Sequence, residues 1–382
     1  MKSARALFFP WRDDAVQLGR NTLRRACDPL CAPALCFRAM PLRFLVMGCG
    51  AVGGVVASHL IESGQDVASY SSNPAIADAV DARGFQVRGD GAARAVPAHI
   101  ARQVPEGPFD VVVLATQPTH VEAAAREALP SLAPDGIMLC LQNGLCEERV
   151  ARIVGEQRTV GAVVAWGAAM PEPGLYDRTA AGGFTLGRLD GSTDERMEEI
   201  ARALECIGPT EITRNLAGKR WSKLAINCAI SSMGTLGGDR LGPLLQHRFV
   251  RRLALEVMTE VVHVARREHI RLERVSGTLD LEWIALTEDE RRASGSPALL
   301  AKHALLYAVG LRFRRMRSSM LAAIERGREP AVEFLNGEVI DRGRRHRVAT
   351  PVNARVRALV WEVASRKRTP GLELLRELGA AS

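Results

Sequence analysis

Apolar runs in the first half of the chain are short and closed by turn residues, whereas those in the second half recur at helical spacing. Phe44-Leu45-Val46-Met47 reads as a buried strand, and Ala51 to Ser63 as a helix that stops at Gly64, where a C-terminal glycine belongs. Asp66 to Tyr70 predicts a second strand, completing one strand-helix-strand unit. The alternation continues. Asp110 to Thr116 has the unbroken β-branched run of a strand buried on both faces, His120 to Leu129 reads as helix, and Gly136 to Leu141 and Val160 to Trp166 read as further strands. Gly174 to Leu189 predicts an antiparallel hairpin at the sheet edge. Strands alternating with helices require a parallel, doubly wound sheet, which binds ligands outside the carboxyl ends of its strands. Those ends are Ser71, Thr116/Gln117, Gln142/Asn143 and Trp166/Gly167.

From about Asn215 onward strand signals vanish, and helical periodicity covers Gly218 to Met233, His247 to Glu268, Ala298 to Arg326 and Glu333 to Arg345. The expected organisation is a disordered extension over residues 1–40, an α/β domain over 41–213, an all-helical domain over 214–368 and a tail over 369–382. The crevice between the two domains is then the default substrate site.

Bulk properties narrow the field. A chain of 382 residues is too long for one ordinary core, in keeping with two domains. No apolar run approaches the roughly 20 residues that span a bilayer, so no membrane role is expected. The net charge of +8 raises the question of nucleic acid. Half of that excess lies in residues 1–39, and the remainder is arginine scattered along helices, such as Arg312, Arg314, Arg315 and Arg317. It lacks the aromatic interleaving of single-strand binders, so a solvated helical face is the reading, with no nucleic-acid partner; anionic small molecules remain compatible. The eight cysteines include no C-x-x-C pair and no His spacing suited to zinc, so no metal is expected and the thiols are read as reduced, in the cytoplasm. Residues 1–39 have no compact apolar stretch followed by a cleavage site and do not resemble a secretory signal. A weak transit peptide and a translation start placed too far upstream are both compatible, Met40 being a sensible start.

The first strand runs into Gly48-Cys49-Gly50-Ala51-Val52-Gly53, a G-x-G-x-x-G turn opening a helix. Gly48 permits the tight turn, Gly50 lets backbone N–H groups approach a pyrophosphate, and Gly53 lets the helix pack on the strand. The phosphates then meet the positive end of the helix. Strand, turn, helix, stop and strand in the required order favour a dinucleotide site over a structural glycine turn. Cys49 sits inside the turn, where a small side chain is wanted, and Ala51 and Val52 are counted with it among the cofactor-binding residues.

A nicotinamide supplies only hydride, so reducing a carbonyl also needs a proton donor near the oxygen. Lys223 and Asn227 lie four apart, hence on one helical face, flanked by Leu224, Ala225, Ile226 and Ala229. A lysine held against apolar neighbours loses hydration, which lowers its pKa and makes it a better acid. A surface lysine is the alternative reading.

The motifs Gly48 to Gly53, Gln142-Asn143-Gly144, Trp221 to Cys228, Ser318-Ser319-Met320, Phe334-Leu335-Asn336-Gly337 and Thr350-Pro351-Val352-Asn353 occur in that order. In this the chain resembles the ketopantoate reductase (2-dehydropantoate 2-reductase) family from about Leu42 to Arg366. The resemblance implies an N-terminal Rossmann domain followed by a helical domain similar to that of 6-phosphogluconate dehydrogenase, and NADPH-dependent reduction of a 2-oxo acid to a 2-hydroxy acid. It implies Lys223 as proton donor, Asn227 and Ser319 as substrate-binding residues, Asn143 near both nicotinamide and substrate, and Gly167 as a cofactor contact.

The chain departs from the family pattern at several positions. The family's acidic residue falls on Ala331 and its Asp on Glu333, and two residues along a helix is about 200° of rotation, so Glu333 does not replace the lost group. A further family asparagine is Ser231, which reaches less far. The cations that meet a 2′-phosphate fall on Ser72 and Gln117, yet no acid stands at Ser71 or Ser72 to hold the free ribose hydroxyl of NAD. Ser71, Ser72 and Asn73 offer hydrogen bonds to a phosphate, with Arg83 or Arg88 as distant cations. NADPH is the expected cofactor, with NADH not excluded. Three readings follow: ketopantoate reduction; the same chemistry on another small 2-oxo acid or carbonyl compound lacking the hydroxyl that Ala331 no longer meets; and a catalytically decayed dinucleotide-binding regulatory protein. Retention of Lys223 with Asn227 argues against the last. A homodimer and a monomer are both compatible with such a helical domain.

Overall fold

The computed structural model describes residues 41–89, 91–274, 279–292 and 295–380. The extension expected over residues 1–40 lies outside the described residues, with Cys27, Cys31 and Cys36.

Twelve strands are described: β1 (Arg43–Met47), β2 (Asp66–Tyr70), β3 (Phe85–Arg88), β4 (Arg94–Val96), β5 (Ile100–Ala101), β6 (Phe109–Leu114), β7 (Leu132–Cys140), β8 (Thr159–Val164), β9 (Gly167–Glu172), β10 (Leu175–Ala180), β11 (Phe184–Gly187) and β12 (Thr210–Ile212). Eight of them form one sheet in the order β12-β11-β8-β7-β6-β1-β2-β5. From β5 to β8 every neighbour is parallel, and β11 closes antiparallel on β8. The order β5-β2-β1-β6-β7-β8 is the doubly wound arrangement, with its reversal of direction between β1 and β6.

The sheet is buried on both sides, as the unbroken apolar runs require. Phe44, Val46, Val111, Val113 and Leu139 enter one core, and Leu45, Met47, Val112, Leu114 and Met138 the other. The flanking helices are α1 (Ala51–Glu62), α2 (Pro74–Arg83), α3 (Val121–Ala128), α4 (Cys146–Val154) and α5 (Glu195–Leu204).

The hairpin expected over Gly174 to Leu189 is placed differently. β9 and β10 pair antiparallel around Gly174, but in a separate four-stranded sheet of order β4-β3-β10-β9, while β11 joins the main sheet. Leu175 of β10 pairs in parallel with Gln86 of β3, a long-range partnership that local pattern does not encode.

The helical half comprises α6 (Leu216–Gly237), α7 (Leu241–Gln246), α8 (Arg248–Arg267), α9 (Leu281–Ile284), α10 (Glu288–Arg292), α11 (Pro297–Arg312), α12 (Ser319–Glu325), α13 (Asn336–Arg345), α14 (Pro351–Ala364) and α15 (Leu372–Ala380). The single helix expected over Ala298 to Arg326 is broken. Ser296 caps α11 by accepting from the Leu299 amide, and Ser318 caps α12 by accepting from the Leu321 amide; a serine that satisfies orphan donors starts a new helix in place of continuing the old one. Within the stretch set apart above as a tail, Leu372–Ala380 forms α15, which buries Leu374, Leu375 and Leu378 in the helical core. Leu375 and Leu378 at i, i+3 make the apolar stripe that docks it.

α6 is the axis of this half. It packs against α7, α8, α12, α14 and α15 and also touches β8 of the sheet. It begins at the cap Asn215, whose side chain accepts from the Gly218 amide at 3.0 Å, and ends at the left-handed Gly238.

Candidate active site

At the sheet's point of reversal the chain turns through Gly48, whose φ of 97° suits glycine. A Cβ at Gly53 would collide with the Gly48 carbonyl oxygen, whereas one at Gly50 would meet nothing within 4 Å. Gly53 is thus glycine for packing, and Gly50 borders open space above the first turn of α1. That helix has no side-chain cap at its N-terminus, so its first N–H groups are left for a ligand. The open face at Gly50 together with these donors fits a dinucleotide pyrophosphate. Cys49 contributes only backbone: its side chain is buried with Sγ 3.6 Å from the Tyr70 carbonyl, and burial pushes the thiol up to about 12. Tyr176 of the second sheet props the turn from behind, donating to the Cys49 carbonyl at 2.9 Å with its ring against Gly54. Ala51 and Val52 open α1, half-buried.

On α6 the residues Arg220, Lys223, Asn227, Ser231 and Gly234 recur every three or four positions along one face. Lys223 is partly buried, and its Nζ donates to the Val164 carbonyl at 2.8 Å, at the carboxyl end of β8. Burial, with the charge of Arg220 second, lowers the amine to about 7. The chain's other lysines are Lys2, Lys219, Lys302 and Lys367, against a large excess of arginine. Arginine does not release a proton in proteins, so a lysine here is chemically distinct from the basic residues around it. One turn on, the Asn227 Nδ2 is buried without a partner, a group still waiting for an acceptor. The Ser231 carbonyl accepts from Ser318 Oγ at 3.0 Å, and a Cβ at Gly234 would press on Ser318 at 2.8 Å, which seats the start of α12 on this face. Ser318 is buried and structural; Ser319, beside it, is exposed in the first turn of α12.

Asn143 stands exposed in the turn after β7, held through its neighbours. Arg220 donates to the Gln142 carbonyl at 2.7 Å, and Gln142 Oε1 is buried without a partner. Trp166, before Gly167, likewise buries an unpartnered Nε1. Beyond the carboxyl ends of β2 and β6, Ser71 is buried, Ser72 and Gln117 are exposed, and the Asn73 side chain accepts from the Ala75 amide as the cap of α2. Asn73 is thereby committed to the helix. Arg88 pairs with Asp177 in the second sheet, which commits it too.

Three consecutive residues of α4 cross to the helical half. Glu147 pairs with Arg220 at 2.7 Å, Glu148 with Arg342 at 2.5 Å, and Arg149 with Glu338. Arg342 also pairs with Glu268 at 2.8 Å and lies over the Trp221 ring. These residues do not stand out as site residues in the sequence. The spacing of Arg220 three before Lys223 was the available signal; its partner Glu147 emerges only from the fold.

The family model of ketopantoate reductase PanE/ApbA matches residues 44–191, and that of the family's C-terminal part matches residues 215–364, together most of the chain. The protein belongs to the ketopantoate reductase family. It is accordingly an NAD(P)H-dependent oxidoreductase acting on CH–OH groups. A 2-dehydropantoate 2-reductase of Pyrococcus horikoshii is 24% identical over 332 residues, covering 86% of this chain and 99% of the relative. One from Aquifex aeolicus is 24% identical, covering 84% and 96%. Among solved structures, a 2-dehydropantoate 2-reductase from Geobacter metallireducens superposes with TM-score 0.71 at 24% identity, covering 84% of this chain and all of that one. A D-mandelate dehydrogenase solved with NADH and anilino(oxo)acetate does so with TM-score 0.73 at 18% identity, covering 85% and 99%.

Several residues of the motifs noted in the sequence are structural in this member of the ketopantoate reductase family. Asn336 accepts from Ser232 and donates to Asn353, whose side-chain amide reaches Glu260 at 2.7 Å; Glu260 also accepts from the amides of Val352 and Asn353 at the start of α14. Glu333 turns to α14, accepting from Arg357 at 2.8 Å and from the Trp361 indole at 2.6 Å. Glu333 is thereby committed to α14. Among the described residues no group of side chains is arranged to hold a metal, and no helix is long and apolar enough to cross a membrane.

Proposed function

We propose that this protein reduces a 2-oxo acid to the 2-hydroxy acid with NADPH, 2-dehydropantoate to pantoate being the leading reaction. Residues 41–213 bind the dinucleotide and 214–368 supply the groups that handle the substrate. The observation that carries this reading is Lys223: a partly buried amine lowered to about 7, anchored at the end of β8, with the unpartnered Asn227 amide one turn away. When bound, the dinucleotide supplies hydride to the keto carbon. Lys223 as the ammonium hydrogen-bonds the keto oxygen, gives it a proton as the C–O bond becomes an alcohol, and is left as a neutral amine that regains its proton from solvent. A donor whose pKa lies near working pH is well matched to this step. The Val164 carbonyl holds Nζ in place, and Asn227 Nδ2 donates to the substrate. Ser319, Ser231 and Asn143 complete its polar contacts.

For the cofactor, Gly48, Gly50 and Gly53 with Cys49, Ala51 and Val52 form the pyrophosphate turn, and Gly167 and Asn143 border the nicotinamide. NADPH over NADH is supported by the lack of any carboxylate at Ser71 and Ser72 and by the start of α2 just beyond, whose dipole favours a phosphate. Ser72 and Gln117, both exposed, are the residues this reading assigns to meet it.

Ala331 favours a second reading within the same chemistry, a 2-oxo acid without the hydroxyl of ketopantoate. Consumption of NADPH and NADH with ketopantoate, 2-oxoisovalerate and benzoylformate separates the two. Ketopantoate as the best substrate supports the first reading, and as the poorest it selects the second. Consumption with none of them rejects both.

A further inference from the structure

Among the described residues Arg220 is the largest charged side chain that is fully enclosed, with 1% of its surface exposed. Its guanidinium donates to the Gln142 carbonyl at 2.7 Å, to the Cys140 carbonyl at 3.4 Å and to Glu147 at 2.7 Å, so one group joins α6, the end of β7, the turn leading to Asn143 and the start of α4. Burial pushes the Glu147 carboxyl up, and Arg220 works against that rise. Buried ion pairs of this kind contribute little net stability compared with an apolar pair of the same size, because desolvating two charges offsets their attraction. Position is the better explanation. Arg220 lies three residues before Lys223, so a rigid turn of helix separates the grip on Gln142 from the reach to Val164. The planar fork meets two carbonyls and a carboxylate at once, which a lysine at the same place does not do.

We propose that Arg220 is a positioning residue for proton delivery, fixing the turn that carries Asn143 to the face of α6 that carries Lys223. This rests on the role of Lys223 given above. The charged groups at this junction are Arg220 and Lys223 on α6 and Glu147 on α4, with Glu148 next to it acting on the Glu147 carboxyl; Arg220 is the charge that acts with burial on the Lys223 amine, and replacing it removes that cation.

The test compares Arg220→Lys and the paired variant Arg220→Met/Glu147→Met, the second chosen because an apolar pair keeps the interior packed without an orphaned charge. In each full-length protein kcat, KM and NADPH affinity are measured with the best oxo acid of the panel above. The pH dependence of Lys223 acylation by trace acetic anhydride is followed in the cofactor-free protein by peptide mass spectrometry, with Lys219 as internal reference. Both variants are expected to lose on the order of tenfold or more in kcat, with KM and NADPH affinity within about threefold of wild type. The acylation midpoint of Lys223 stays in place in Arg220→Lys and moves to higher pH in the paired variant. Wild-type kcat in either variant overturns the proposal. Lys223→Ala, run in parallel, separates the two layers: if it is inactive while the Arg220 variants are normal, only the positioning role fails, and if it is fully active, the proposed role of Lys223 fails and this inference with it.

Discussion

Lys223 Nζ lies 2.8 Å from the carbonyl oxygen of Val164, joining the central helix of the helical half to the carboxyl end of a strand in the parallel sheet. A doubly wound sheet presents its ligands at those strand ends, and the contact holds a titratable amine at one of them, as the proposed reduction requires. The amine is lowered to about 7, first by burial and then by Arg220.

The protonation state needed for reduction is the ammonium. Reduction should therefore run at a plateau below about 7 and fall as pH rises through that value, while oxidation of the hydroxy acid, which needs the neutral amine, should rise across the same range. Steady-state kcat/KM against pH in both directions checks this. Parallel profiles for the two directions would contradict it.

The same group carries a stability cost with a definite sign. Its folded value lies below the ordinary 10.5, so the unfolded chain binds more protons between the two values. Stability from this site is therefore least below about 7 and recovers as pH climbs toward 10.5. Lys223→Met should raise Tm by roughly 2 °C at mildly acidic pH and by less at alkaline pH. Thermal scans of the two proteins across pH decide it, and a gain that is larger on the alkaline side would reverse the sign.

The glycine turn separates folding from binding. Gly50 has open space where a Cβ would project and a φ of −70°, so Gly50→Ala should fold normally and weaken dinucleotide binding by about tenfold or more. Gly53→Ala drives a methyl into the Gly48 carbonyl and should lower Tm outright. Calorimetry with fluorescence titration distinguishes the two, and unchanged NADPH affinity in Gly50→Ala would count against the turn as the phosphate site.

Restoring a carboxylate tests the substrate assignment. Ala331→Glu should raise kcat/KM for ketopantoate by roughly tenfold or more relative to 2-oxoisovalerate, because the added acceptor meets only the hydroxylated substrate. An unchanged ratio would place residue 331 outside the substrate's reach.

Much of this is legible in the sequence. The parallel strands stand out because both faces are buried, leaving unbroken runs such as Val111-Val112-Val113-Leu114. Lys223 and Asn227 are paired by helical spacing alone. The second sheet was not legible, since β3 and β4 are short and β3 finds its partner β10 far along the chain. The break between α11 and α12 depends on Ser318, whose hydroxyl is fixed by Thr235 at 2.9 Å and by the Ser231 carbonyl, groups from a distant helix. Arg220 shared the readable face of α6, but its meaning required Glu147 and the Gln142 carbonyl, which only the folded chain brings to it.

The most direct measurement is single-turnover and steady-state reduction by Lys223→Ala alongside its affinity for NADPH. Turnover should fall by about 10²-fold or more with cofactor affinity nearly intact, as loss of a general acid requires. Turnover equal to wild type would contradict the assignment of proton delivery to Lys223.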